Sequence, residues 1–265
     1  MPRFAANLSM MFPEIPFLER FAAARKAGFT GVEFLFPYTF AKADILARRK
    51  EAGLAQILFN TPPGNWEAGE RGFAALPRKQ DAFRRTFEQA LDYAVALENP
   101  RIHVMAGIPA ADDDLEACAA CFVENLSWAA SLAGPQIITL LIEPLNPVDM
   151  PGYFLKSADQ AAEILKRVGA PNVKLQYDLY HQQMSRGAVA ETLRRHLGII
   201  GHIQVAGVPG RNEPDAGQEL NVSYLFKLID ELGYDGWIGC EYRPRNGTDA
   251  GLTWLRPYGI GQLDR

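Results

Sequence analysis

Short apolar runs and longer amphipathic stretches alternate along the whole chain. Runs that read as buried parallel strands fall near Phe4 to Leu8, Gly31 to Phe36, Leu54 to Asn60, Arg101 to Ala106, Ile137 to Glu143, Val173 to Asp178, Gly201 to Val205 and Gly236 to Glu241. Between them, apolar residues recur at spacings of three and four, as in Phe83, Phe87, Ala90, Leu91, Ala94 and Leu97, which predicts helices laying one face on a sheet. Gly28, Gly53, Gly134, Gly169, Gly198 and Gly233 each stand where such a helix should end. A left-handed residue closes the last turn there, and glycine adopts that conformation at least cost. About eight strand-helix units, with no linker, low-complexity stretch or strong repeat, predict one α/β domain over 1–265, a (β/α)8 TIM barrel.

Four of the predicted strands end in oxygen. Glu143, Asp178, Gln204 and Glu241 close Leu140-Leu141-Ile142-Glu143, Val173 to Asp178, His202-Ile203-Gln204 and Trp237 to Glu241. Strand alternation puts Leu141 with Glu143, His202 with Gln204, and Trp237 and Gly239 with Glu241, so each series can face the barrel axis. Three carboxylates at one mouth repel unless protons or a cation compensate, and an uncharged amide oxygen completes an oxygen-rich set. Hard oxygen donors favour Mg²⁺ or Mn²⁺ over zinc. A cation that polarises a carbonyl makes the adjacent C–H acidic enough for a carboxylate to remove its proton. Glu143 and Glu241, from the fifth and eighth strands, flank Asp178 and Gln204 and are the candidate acid/base pair. Each of the four, taken alone, could equally mark only where a buried strand meets solvent.

Composition narrows the partner. The chain has 265 residues, 48% of them hydrophobic and 22% charged, enough for one sizeable core. A formal net charge of -4 gives no broad basic field for nucleic acid or an anionic membrane, so a small-molecule substrate is expected. No apolar stretch approaches about 18 residues and the first residues lack a secretory pattern, so the expected location is the cytoplasm. Three cysteines argue against a disulfide framework. Cys118-Ala119-Ala120-Cys121 spells C-x-x-C, but it falls inside a predicted helix whose stripe is Leu115, Cys118, Phe122, Leu126 and Ala129. Oligomeric state has no readable signal, and a homo-oligomer stays open.

Further polar residues could serve the same mouth. His181, three residues after Asp178, can hydrogen-bond a substrate oxygen or donate a proton, or simply cap the next helix. Arg211 and Arg71 can clamp a carboxylate or remain solvated. They sit in two long connections, 61–72 and 207–219, that follow strands and are lid candidates. Asn7, Glu33, Gln56, Asn60, His103, Lys174 and His202 read as packing or supporting groups. A Schiff-base role for Lys174 is disfavoured, because four residues at 3.3 Å each put it about 13 Å below Asp178. Phosphate-loop, dinucleotide-fold and nucleophile-elbow signatures are missing from the sequence.

Ile142-Glu143-Pro144-Leu145-Asn146, Pro151-Gly152-Tyr153, Gln176 to His181 and Cys240-Glu241-Tyr242-Arg243-Pro244 together resemble the hydroxypyruvate isomerase family, which includes 2-oxotetronate isomerases, within the xylose isomerase-like barrels. The likeness extends to Phe4 through Ser9 and to Asn60-Thr61-Pro62-Pro63-Gly64. The resemblance implies that Glu143 and Glu241 exchange the proton and that Glu143, Asp178, Gln204 and Glu241 bind the divalent cation. His181 and Arg211 match substrate-contacting positions. Related ketose epimerases carry a histidine in the place of Gln204. The expected activity is aldose-ketose type isomerisation of a small hydroxy-keto acid, hydroxypyruvate or a 2-oxotetronate, through an enediolate. A ketose 3-epimerase is the alternative. An abasic-site nuclease, which needs a histidine-rich zinc cluster, and a non-catalytic sugar-acid binding protein are remoter readings, the first poorly served by four histidines.

Overall fold

The computed structural model describes residues 1–262. Eight strands, β1 (Arg3–Asn7), β2 (Gly31–Glu33), β3 (Ala55–Asn60), β4 (Arg101–His103), β5 (Thr139–Ile142), β6 (Val173–Asp178), β7 (Ile200–Val205) and β8 (Trp237–Cys240), form the wall. They pair in parallel in sequence order and close, β8 against β1, into a barrel. Around it lie α1 (Arg20–Lys26), α2 (Lys42–Glu51), α3 (Gln80–Ala96), α4 (Leu115–Ala133), α5 (Ala158–Val168), α6 (Leu179–Ser185), α7 (Val189–His196), α8 (Val222–Glu231) and α9 (Thr248–Gly251). No helix among the described residues is long and apolar enough to cross a membrane.

Alternation along the strands splits the apolar residues into two populations. One set, with Phe4, Phe87, Phe122, Leu140 and Ile238, packs between the outer strand faces and the helices. The other, Ala5, Ile57, Leu58 and Leu141 with Trp237 against them, forms a smaller separate cluster. Lys174 lies on this level: a Cβ at Gly201 would meet its side chain, well below the strand tips. The barrel is therefore packed at one end and polar at the other, and the polar end is where the strands finish.

Several boundaries depart from the sequence expectation for local reasons. β2 stops at Glu33, where the register with β3 shifts, and β4 stops at His103, after which Met105 N–H donates to the Thr61 hydroxyl instead of to a strand. β5 begins at Thr139 because Ile137, with φ 58°, takes the left-handed turn that Gly134 was expected to take. Gly134 opens a 3-10 turn ahead of Pro135, and Gly198 lies inside another at Leu197–Ile199, neither with positive φ. Gly28, Gly53, Gly169 and Gly233 do adopt it. On α4, Cys118, Phe122, Leu126 and Ala129 are buried as expected, but Leu115, the first helical residue, is exposed. The three cysteines are free and buried, and burial pushes the Cys121 thiol up to about 11, which removes the thiolate that redox chemistry needs.

Candidate active site

At the carboxyl ends of β5 to β8 the barrel gathers Glu143, Asp178, Glu241, His181 and Arg211. Asp178 ends β6 and is also the N-cap of α6, so strand and helix meet with no loop between them. Its Oδ1 accepts the Tyr180 N–H at 2.8 Å, which fixes the carboxylate and leaves Oδ2 facing the mouth. Arg211 reaches over from the loop after β7, with Nη2 at 3.2 Å from Glu241 Oε2 and 3.8 Å from Asp178 Oδ2, and with Nη1 at 3.6 Å from Asp149 Oδ2. Its guanidinium also lies over the Tyr180 ring, 5.0 Å from the centroid. His103, which the sequence marked only as a supporting group, places Nδ1 at 3.5 Å from Glu143 Oε2.

Burial dominates the electrostatics. The Glu143 carboxyl is held well above its usual range, first by desolvation and then by Glu241 and Asp178. Desolvation likewise lifts Glu241 to about 8 and Asp178 to about 6, both against the pull of Arg211. His103 is pushed down to about 3 by burial and stays neutral. Fully ionised, three carboxylates against one guanidinium would leave two negative charges, which one divalent cation would match. Glu143 Oε1 and Asp178 Oδ2 are buried and accept no hydrogen bond among the described residues. Ligand atoms of Glu143, Asp178 and His181 lie within 4.8 Å of one another. Orphaned carboxylate oxygens in a low-dielectric pocket suit a hard cation, so the donor set fits a divalent metal ion.

Below this group lies a hydrogen-bonded layer. Gln204 is paired in register with Asp178, but its side chain is tied downward: Nε2 donates to Glu33 Oε1 at 2.8 Å, and Oε1 accepts from Gln176 Nε2 at 2.6 Å. Glu33 Oε1 also accepts from Asn7 at 3.0 Å, while its Oε2 stands 2.7 Å from His202 Nε2. Gly239 faces this layer, and its missing side chain makes room for the Glu33 carboxylate.

The two arginines proposed from sequence part company. Arg211 joins the carboxylates, whereas Arg71 is committed within its own loop: Nη1 donates to the Trp66 and Glu70 carbonyls, and the guanidinium stacks 3.6 Å over Trp66. Both long loops follow strands, as expected, at β3 and β7. The second is braced rather than loose, since Gly207 N–H donates to Asn212, Arg243 N–H donates to Arg211, and Arg245 pairs with Glu213. Asn146, Asp149, Tyr180 and Gln176 are site residues that sequence reading missed. The motif strings that end at Asn146 and run from Gln176 to His181 contain three of them without marking what they touch, and the Asn146 and Asp149 contacts depend on a loop fold that has no periodicity.

Comparison with known proteins identifies the family of this barrel. The family model of xylose isomerase-like TIM barrels matches residues 21–258. A 2-oxo-tetronate isomerase from Cupriavidus necator is 59% identical, the match covering 97% of this chain and 99% of that one. The hydroxypyruvate isomerase of Escherichia coli is 44% identical over 97% of this chain and 100% of its own. A crystal structure from Brucella melitensis named AP endonuclease, family 2, superposes with a TM-score of 0.95 at 50% identity, covering 97% of this chain and 99% of that one. A D-psicose 3-epimerase, at 18% identity and TM-score 0.76, shares the fold over all of this chain and 90% of its own. The family match and the whole-length identity together place the chain in the xylose isomerase-like TIM barrel family, among the hydroxypyruvate and 2-oxo-tetronate isomerases.

Proposed function

We propose that the protein isomerises a small hydroxy-keto acid by moving a carbon-bound proton between Glu143 and Glu241. The observation that carries this reading is the buried cluster of three carboxylates with one guanidinium at the strand tips. Glu143, Asp178 and Glu241 would hold a divalent cation, Mg²⁺ or Mn²⁺, and Gln204, the fourth ligand expected from the sequence, would join them on turning its oxygen away from Gln176. Bound there, the cation supplies Lewis-acid polarisation of a carbonyl and offsets developing negative charge.

The side chains do the rest. Burial raises Glu143 well above the usual carboxylate range and Glu241 to about 8, which favours proton-holding carboxyls at this site, so one glutamate removes the proton as the other returns one. Arg211 binds the substrate carboxylate, because it is the arginine whose guanidinium reaches the carboxylate cluster, whereas Arg71 is spent on Trp66. His181 hydrogen-bonds a substrate oxygen. Whole-length identity to a protein named 2-oxo-tetronate isomerase favours a four-carbon substrate, a 2-oxotetronate converted to its 3-oxo isomer, over three-carbon hydroxypyruvate.

Three- and four-carbon oxo acids assayed with Mg²⁺ and Mn²⁺ test this, with solvent deuterium uptake at the carbon next to the carbonyl as the readout. No exchange into any of these acids would remove the reading; turnover of neutral ketoses alone would favour an epimerase. The Brucella structure's name raises nuclease chemistry, which predicts several zinc ions per chain and cleavage of abasic DNA. A metal count of one excludes it.

A further inference from the structure

The loop after β5 presents two hydrogen-bond donors to a single histidine nitrogen. Asn146 backbone N–H donates to His181 Nδ1 at 3.1 Å, and Asn146 Nδ2 stands 2.7 Å from that same atom. The orientation of the Asn146 amide is not free. Its Oδ1 accepts from the backbone N–H groups of Val148 at 3.0 Å and Asp149 at 2.9 Å, and Nδ2 also donates to Asp149 Oδ2 at 3.2 Å. Flipping the amide would set its NH₂ against two N–H donors and its oxygen against a carboxylate. The backbone donor cannot flip at all. Asn146 and His181 are both buried, so water does not substitute for either contact.

We infer that Asn146 is a positioning residue that locks His181 in the tautomer with its proton on Nε2, so that His181 is a fixed hydrogen-bond donor to substrate and not a metal ligand. This rests on the proposed function for the identity of the acceptor, but not for the tautomer. Proximity alone admits His181 to the ligand set with Glu143 and Asp178. Coordination through Nε2 would require the ring proton on Nδ1, where it would point into two other N–H groups. The remaining nitrogen, Nε2, lies 3.8 Å from Asp178 Oδ2, on the carboxylate side of the ring. Asp149 extends the arrangement: its Oδ2 takes the Tyr180 hydroxyl at 2.9 Å and faces Arg211 Nη1 at 3.6 Å. One short loop thereby orients both groups that would grip the substrate.

The direct test is long-range ¹H–¹⁵N correlation on ¹⁵N-histidine-labelled protein, with His181 assigned by its loss in H181N. A pyridine-like Nδ1 and pyrrole-like Nε2, unchanged when Mg²⁺ is added, is the expected result. A protonated Nδ1, or an Nε2 signal that shifts to a ligated nitrogen on adding Mg²⁺, overturns the inference. In parallel, Mn²⁺ titration of H181N should give a dissociation constant within about twofold of wild type, whereas losing a ligand or its support costs about 10- to 100-fold. N146D, which puts a carboxylate oxygen beside Nδ1, should draw the proton to Nδ1 and lower kcat about 100-fold with little change in KM. If N146D does not fold, the wild-type spectrum and the H181N titration still decide the matter. Neither needs substrate, so absence of isomerase activity would remove the proposed function while leaving the tautomer result standing.

Discussion

Glu143 and Glu241 are set apart from the chain's exposed glutamates by burial beside other acids, a costly placement unless function or a cation requires it. Their substitution separates the two. Glu143→Gln and Glu241→Gln keep shape and remove a charge, so folding should survive while kcat falls by about 10²- to 10⁴-fold, the range of general acid–base catalysis. Steady-state assay with deuterium exchange checks this, and either variant turning over at the wild-type rate would end the acid/base assignment. The same residues were legible in the sequence because each closes an apolar strand. Asn146 and Asp149 were not, since their partners are set by a loop whose hydrogen bonds leave no mark on hydrophobic spacing. Gln204 was legible as an inward group, but its bonds to Gln176 and Glu33, which turn its amide, come from strands far apart in sequence.

At the scale of elements, strands β1, β3, β6, β7 and β8 matched their apolar runs to within a residue at either end, because burial on both faces writes hydrophobicity directly into a parallel strand. β2, β4 and β5 came out shorter, where a register shift, a hydroxyl acceptor and a left-handed Ile137 replaced strand geometry, none of them a matter of hydropathy. Gly239 in β8 shows how an element serves the site. A methyl there would overlap the Glu33 carboxylate inside a packed barrel, so Gly239→Ala should destabilise by about 1–3 kcal/mol. A chemical denaturation midpoint equal to wild type would show that the Glu33 layer can yield. The arm after β7 makes a different case. Glu213, buried, accepts Arg245 N–H and Nε, each at 2.9 Å, and Arg211 sits two residues earlier with φ 52°. Glu213→Ala should therefore loosen Arg211 and raise the substrate KM more than it lowers kcat, and an unchanged KM would detach Arg211 from carboxylate binding.

For the whole molecule, the cost of gathering three acids at one barrel mouth makes stability, cation and pH interdependent. Without metal, the folded state holds protons on Glu241 up to about pH 8 and on Asp178 up to about pH 6, above the unfolded values near 4.5 and 3.8. A carboxyl whose folded pKa is raised contributes stability that is complete below its unfolded pKa and is lost as pH climbs through the folded one. Metal-free protein should thus lose stability as pH rises from about 5 to about 8. A bound divalent cation favours the ionised carboxylates and reverses the preference, since binding to the folded state alone adds stability that grows as the ligands deprotonate. The Tm difference between Mg²⁺-loaded and EDTA-treated protein should therefore widen across that interval, and isomerase activity should disappear with EDTA and return with Mg²⁺ or Mn²⁺. Differential scanning calorimetry at several pH values checks the first, and a gap that stays constant would mean that these acids are not the cation's ligands.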